Sequence, residues 1–106
     1  MANNFSDAGA TLSNNSLTDV FTATNKSMVF GGTVSNTGTT SINVSIKKYD
    51  NSGTAGRFIV KDLALPSGSS HTVPKIVLQT SDKVQVQSSD SSGNCDVELA
   101  LLIDVS

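Results

Sequence analysis

Two side chains in this 106-residue sequence belong to types that often act in catalysis, and neither has the neighbours that catalysis needs. His71 is the only histidine, and the residues around it lack the Gly-x-Ser-x-Gly pattern of a nucleophile elbow. Cys95 is the only cysteine and has no Cys-x-x-Cys partner. We therefore predict that His71 is a surface or strand-end residue, that Cys95 is a small apolar packing residue, and that the protein is not an enzyme. A hydrolase that uses His71 is the alternative.

One loop has the alternating oxygen ligands that calcium prefers. Asp90, Ser92, Asn94 and Asp96 stand at every second position around Gly93. The acid that closes an EF-hand is absent, and the same pattern is typical of a solvated hairpin turn. We predict no catalytic, cofactor or metal site and no cofactor, and the sequence leaves open whether residues 90–96 bind calcium.

Composition excludes several classes of partner. Ser, Thr, Asn and Gly make up 45 of the 106 residues, only 15% of residues are charged, and the net charge is -2. A nucleic-acid-binding protein would show a basic face, so no nucleic-acid partner is expected. The longest clear apolar run, 100–103, is far too short for a bilayer, and the first residues lack the features of a secretory signal. We expect no membrane partner and no export by that signal.

Apolar residues alternate with polar ones along most of the chain, which predicts half-buried strands. The clearest strand places five apolar side chains on one face: Val97, Leu99, Leu101, Ile103 and Val105. Turn signals separate such runs at intervals typical of an all-β sandwich. The predicted strands are 17–23, 27–35, 41–49, 57–63, 71–73, 76–78, 83–88 and 95–104. We expect a bulge or a close backbone approach at Gly31-Gly32 and an edge or a strand break at Pro74.

These patterns predict one all-β domain, an antiparallel β-sandwich of the jelly-roll or Ig-like type with seven or eight short strands. It covers residues 17–106. Residues 1–16 are rich in Asn and small residues, and they are predicted to form an extended N-terminal arm, with a loose terminus as the alternative. Phe5 and Leu12 are the two apolar anchors by which this arm would contact another protein.

Residues 29–105 resemble a group of small all-β virion proteins of tailed bacteriophages. The resemblance rests on several stretches in a fixed order: Phe30-Gly31-Gly32-Thr33, Leu65-Pro66-Ser67-Gly68, Ile76-Val77-Leu78 with Asp82 after it, and Asp96-Val97-Glu98-Leu99. It implies a non-enzymatic component of a virus particle. The first 25 residues match no pattern of the group and are expected to be specific to this protein.

The resemblance favours a capsid decoration, or cement, protein. Such a protein would bind over junctions of the phage major capsid protein and stabilise the head. It would be made in the host cytoplasm and would then lie on the capsid surface of the virion. We expect a homo-oligomer, with a trimer as the first guess, because a domain of this size with uncharged strand edges benefits from covering them.

The alternative is a neck or tail-fibre adaptor, or a host-recognition module that binds a receptor or a carbohydrate. Loop tips would then make the contacts. The candidate residues for this function are Asp50, Asn51, Arg57, Asp90 and Asn94.

Overall fold

The computed structural model describes residues 4–50 and 55–103, and these residues form nine β-strands. Within these ranges no helix is present that could span a membrane. The strands are β1 (Asn4–Leu12), β2 (Thr18–Thr22), β3 (Ser27–Asn36), β4 (Ile42–Asp50), β5 (Ala55–Leu65), β6 (Ser70–Thr72), β7 (Ile76–Leu78), β8 (Lys83–Ser88) and β9 (Cys95–Ile103). All paired strands are antiparallel.

The strands form two sheets that pack face to face. Sheet A has the order β1-β9-β3-β6, with β7 also paired to β3, and sheet B has the order β2-β8-β4-β5. Most successive strands therefore cross from one sheet to the other, which is the double Greek-key arrangement of a jelly roll. An immunoglobulin sandwich instead keeps several consecutive strands in one sheet. The predicted antiparallel sandwich is confirmed, and the strand order selects the jelly roll.

The alternation of the sequence predicts the strands well. Predicted strands 76–78 and 83–88 coincide with β7 and β8, and the other predicted ends within the described residues lie at most two residues from the observed ends. Residue 104 lies outside the described residues. Pro74 separates β6 from β7, as expected, because proline cannot donate a ladder hydrogen bond.

The N-terminal segment differs from the expectation of an arm. Residues 4–12 form β1, the edge strand of sheet A, which pairs with β9 along its whole length. Leu12 is only 1% exposed and packs in the core of its own sandwich, which differs from the predicted contact with another protein. Phe5 is 79% exposed. The described part of the predicted arm is therefore built into the fold.

The core lies between the two sheets. Alternate residues of each strand point inward, and those of β8 and β9 show the pattern most clearly: Val84, Val86, Cys95, Val97, Leu99 and Leu101 are all buried. Removing such a side chain from water contributes about 1.5–3 kcal/mol for a valine or leucine. Every buried side-chain nitrogen or oxygen in the described ranges has a hydrogen-bond partner.

Gly32 allows the two central strands of sheet A to come close together at a bulge. The register of β3 against β9 shifts between Val29 and Gly31, and Gly32 has a φ of 146°. A Cβ atom at Gly32 would lie 2.3 Å from the carbonyl oxygen of Glu98. The predicted bulge and close backbone approach are confirmed, and both explain why a residue without a side chain stands here.

Candidate interaction surfaces

An apolar band crosses the outer face of sheet A. The strand register places four apolar side chains side by side on neighbouring strands, and Phe30 stands next to them at the β3 bulge. We define the apolar band as Phe5, Met28, Phe30, Val77 and Leu102. Phe5, Phe30 and Val77 are 79%, 44% and 53% exposed. A contiguous exposed apolar patch of this kind is typical of an interaction surface.

The two phenylalanines of the apolar band contact each other. The ring centroids of Phe5 and Phe30 are 5.7 Å apart, with an angle of 81° between the ring planes. Such edge-to-face packing is a favoured aromatic geometry. It holds Phe5 against β3 although most of its surface faces solvent. The band is therefore a shaped surface on four neighbouring strands rather than a loose chain end.

The other half of the same face is acidic and rich in hydroxyl groups. We call it the acidic half, and its charged members are Asp7, Asp96 and Glu98. The Thr11 hydroxyl donates a 2.7 Å hydrogen bond to Asp96. Thr33 and Ser35 extend along the neighbouring strand and line the same open groove of about 620 Å³ with Asp96 and Glu98. The three neighbouring strands β1, β9 and β3 contain no lysine or arginine.

Glu98 lies across the backbone of the edge strand. It pairs with Gly9, and a Cβ atom at Gly9 would lie 2.5 Å from a carboxylate oxygen of Glu98. A hydrogen bond with the Asp7 carboxyl group raises the pKa of Glu98, and desolvation and the charge of Asp7 act in the same direction. Two neighbouring carboxyl groups hold a proton more strongly because their charges repel.

The outer face of sheet B carries lysines and aromatic rings. The ammonium groups of Lys47 and Lys61 lie 5.1 and 4.5 Å from the centre of the Phe58 ring. The ammonium group of Lys83 lies 5.7 Å from the centre of the Tyr49 ring. Phe58 is 41% exposed. Cation–π contacts keep these lysines on the face instead of extending freely into water.

Two acids accompany these lysines. Lys83 and Gln85 donate hydrogen bonds of 3.1 and 2.8 Å to the carboxylate of Asp19. The hydrogen bond from Gln85, aided by that from Lys83 and by its charge, lowers the pKa of Asp19 against a smaller opposing effect of burial. Asp62 lies 3.7 Å from the Lys61 ammonium group. The lysines still outnumber the acids on this face.

The loop tips predicted for the alternative function do not form one site. Asp50 ends β4 on the side where Tyr49 pairs with Lys83, the first residue of β8, whereas Asp90 follows the last residue of β8. The two loops are thus at opposite ends of the sandwich. Arg57 is exposed on β5, where it pairs with Lys48. Asn51 lies outside the described residues.

Asp90 shapes the turn between β8 and β9. Its carboxylate accepts hydrogen bonds from the backbone N–H groups of Ser92 and Asn94, at 3.0 and 3.1 Å. Gly93 has a φ of 81°, which favours glycine at this position. These contacts give the alternating polar residues of 90–96 a role in turn formation. Among the described residues no cluster of three or more His, Cys, Asp or Glu side chains has the arrangement of a metal site.

His71 and Cys95 belong to the sandwich itself. His71 is half-buried on β6 opposite the core residue Val34, and paired residues of an antiparallel ladder share a face. Cys95 is fully buried, and burial raises the pKa of its thiol to about 11. Such a thiol stays protonated at neutral pH and is a poor nucleophile. Both side chains are therefore part of the packing of the sandwich.

Sequence patterns identify only Phe5 among the members of the apolar band. Alternation places Leu102 on a face expected to be wet, and Met28 and Phe30 fall inside an apolar run. The band arises because four strands that are distant in sequence align at the same level. One sequence feature could have indicated the band: residues 101–103 are consecutive apolar residues, and in a strand they put apolar side chains on both faces.

The fold is similar to that of chains from the particles of one virus. It matches a chain of the T13 viral particle of infectious bursal disease virus with a TM-score of 0.56 and 16% identity, over 95% of this chain and 31% of that one. A chain from the Gx strain of the same virus matches with a TM-score of 0.53 and 19% identity, over 97% and 31%. This chain thus spans about a third of the length of those chains.

A pentameric capsid protein from metagenomic phage sequences also matches, with a TM-score of 0.47 and 15% identity, over 94% of this chain and 62% of that one. No family model matches the sequence, and no curated protein matches it. At these identities the two virus-particle matches with TM-scores above 0.5 show the fold alone.

Proposed function

We propose that this protein is a structural component of a virus particle, and specifically a capsid decoration protein of a tailed bacteriophage. The observation that carries the proposal is the jelly-roll strand order of this chain, together with its similarity in fold, over 95% of its length, to a chain of the infectious bursal disease virus particle. The resemblance of residues 29–105 to small virion proteins of tailed phages supports the same role. The surroundings of His71 and Cys95 fit a non-enzymatic protein.

The proposed action is mechanical. Many copies would bind over junctions of the major capsid protein, and each interface would be of modest size. Because all copies contact one shell, their binding energies act together and resist the internal pressure of the packaged genome. Outer faces with few charges and many hydroxyl groups can lie against other proteins at a low desolvation cost. The protein would be located on the capsid surface of the virion.

Phe5 is the proposed protein–protein contact residue that the structure leaves available. It is exposed at the edge strand of sheet A, and its ring is oriented by Phe30. Leu12 is not part of this proposal because it is buried in the core.

The cement role can be tested by removing the protein and adding it back. Phage lacking the gene should still form heads, but these heads should lose their DNA at a lower temperature than complete particles. Adding the purified protein should restore the original release temperature, and an unrelated protein of the same size and net charge should not. Heads that are equally stable with and without the protein would contradict the cement function.

A further inference from the structure

The two outer faces of the sandwich are complementary in charge. Sheet A presents three carboxylates, Asp7, Asp96 and Glu98, on strands that contain no lysine or arginine. Sheet B presents three lysines, Lys47, Lys61 and Lys83, with two acids among them. Opposite potentials of this kind select a partner and set its orientation.

Both faces also have apolar groups beside their charges. Sheet A has the apolar band, in which Phe5 and Phe30 are largely exposed. Sheet B has Phe58 and Ile59, which are 41% and 39% exposed. A face with a central apolar part and charges around it has the composition of a protein interface.

We propose that copies of this protein associate head to tail, with the outer face of sheet A of one copy against the outer face of sheet B of the next. The carboxylates of the acidic half would meet the lysines around Phe58, and the apolar band would contact the exposed apolar side chains of β5. The occupant of each face is therefore a second copy of this chain. This self-association goes beyond the proposed function and does not depend on it.

A two-fold dimer through equal faces is disfavoured by the same charges. Joining two A faces would bring six carboxylates into one interface, and joining two B faces would bring together six lysines with only four aspartates. Like charges that face each other without water oppose binding strongly. A lysine from sheet B placed near Asp7 and Glu98 would instead relieve a repulsion that already exists within one copy.

The faces are large enough for a stable contact. The molecule measures 44 by 27 by 19 Å, so its broad faces can supply the roughly 800 Å² per partner that a stable interface needs. Because the two outer faces lie on opposite sides of the sandwich, copies joined through them stack on one another, and a head-to-tail contact that does not close into a ring gives an open assembly.

The test uses two charge-reversed variants of the whole protein. One is Asp7→Lys with Glu98→Lys, which makes both faces basic, and the other is Lys47→Glu with Lys61→Glu, which makes both faces acidic. Sedimentation velocity over a concentration series should show association of the unchanged protein, weakened by added salt. Each variant alone should associate about tenfold more weakly or not at all.

An equimolar mixture of the two variants should recover association. The basic A face of the first variant can bind the acidic B face of the second, and its lysine-bearing B face can bind the unchanged A face of the second. The matched control is Lys26→Glu with Lys75→Glu, which changes the net charge as the second variant does but alters two exposed lysines outside the strands. It should associate like the unchanged protein.

Circular dichroism melts should show that each variant is folded. If the Lys pair at positions 7 and 98 prevents folding, Asp7→Asn with Glu98→Gln replaces it and should still weaken association. An unchanged protein that is monomeric at every concentration would overturn the proposal. So would variants that associate normally, or a mixture that stays monomeric although each variant is folded.

Discussion

Asn36 shows how one buried side chain fixes the end of the sandwich. It is 2% exposed, and its amide nitrogen donates hydrogen bonds to the carbonyl oxygens of Thr40 and Leu65, at 2.8 and 2.9 Å. Its amide oxygen accepts a 3.0 Å hydrogen bond from the backbone N–H of Gly38. One residue therefore closes the β3–β4 turn and attaches it to the end of β5.

This geometry predicts that Asn36→Asp destabilises the fold. The substitution replaces the donor of two hydrogen bonds with an oxygen that faces two carbonyl oxygens, and a buried group left without a partner costs about 1–3 kcal/mol. The free energy of unfolding, measured with urea, should fall by at least this amount. The matched control is Asn43→Asp, because Asn43 is exposed on β4, and it should change stability little. Equal effects of the two substitutions would contradict the account.

The sequence predicts part of this role. Asn36-Thr37-Gly38 is recognisable as a turn because asparagine and glycine favour turn conformations. That Asn36 also binds Leu65 is not visible, since the partner lies 29 residues away and is brought near only by the fold. Asp90 is similar: spacing alone leaves calcium binding and turn formation open, and only the hydrogen bonds show its role in the turn.

Strand β1 is the element that sequence patterns describe least well. Its inward residues Ala8 and Ala10 are small, and the alternation is correspondingly weak, so an extended arm is the natural expectation. The strand forms because β9 offers an unpaired edge along its whole length and Leu12 completes the core. Strands with large apolar residues on one face, such as β8 and β9, have a strong alternation of their own. Both ends of β8 and the start of β9 are predicted correctly from the sequence.

The pairing of β1 with β9 makes stability depend on the charge of Glu98. Its pKa is raised in the folded protein, with the hydrogen bond to Asp7 as the first cause. A raised pKa means that the folded state holds the proton more strongly than the unfolded state. The stabilising contribution is therefore full at pH values below the unfolded pKa and is lost as the pH rises through the folded one.

Glu98→Gln should accordingly raise the melting temperature at pH 7, and this difference should disappear in acid. Asp19→Asn is a control of opposite sign, because the pKa of Asp19 is lowered, first by the hydrogen bond from Gln85. Its stabilising contribution is present above the unfolded pKa and is lost as the pH falls through the folded one. The Asp19→Asn substitution should therefore lower the melting temperature at pH 7 and have little effect on it in acid. Melting curves from pH 3 to 8 that show the same sign for both variants would contradict this.

At the scale of the whole molecule, the sequence predicts the class of fold but not its connectivity. Alternating runs with turns between them predict an antiparallel sandwich, whereas the choice between jelly-roll and Ig-like topologies depends on which distant strands pair. The same holds for the two outer faces. The apolar band and the acidic half exist only because β1, β9 and β3 are neighbours in sheet A. No short sequence motif predicts either surface.

A single arrangement connects these surfaces with the proposed role. Copies joined head to tail through sheets A and B would present the ends and edges of the sandwich to the capsid. A stack of this kind would reach the shell with several contacts at once, so modest individual contacts would give firm binding.

The most direct test of the proposed decoration role is the copy number of the protein in purified particles of the phage that encodes it. Quantitative mass spectrometry against labelled reference peptides gives its ratio to the major capsid protein. We predict a fixed ratio with a copy number of the same order as that of the capsid protein. A handful of copies per particle would indicate a neck or fibre component, and absence from the particle would contradict a virion role altogether.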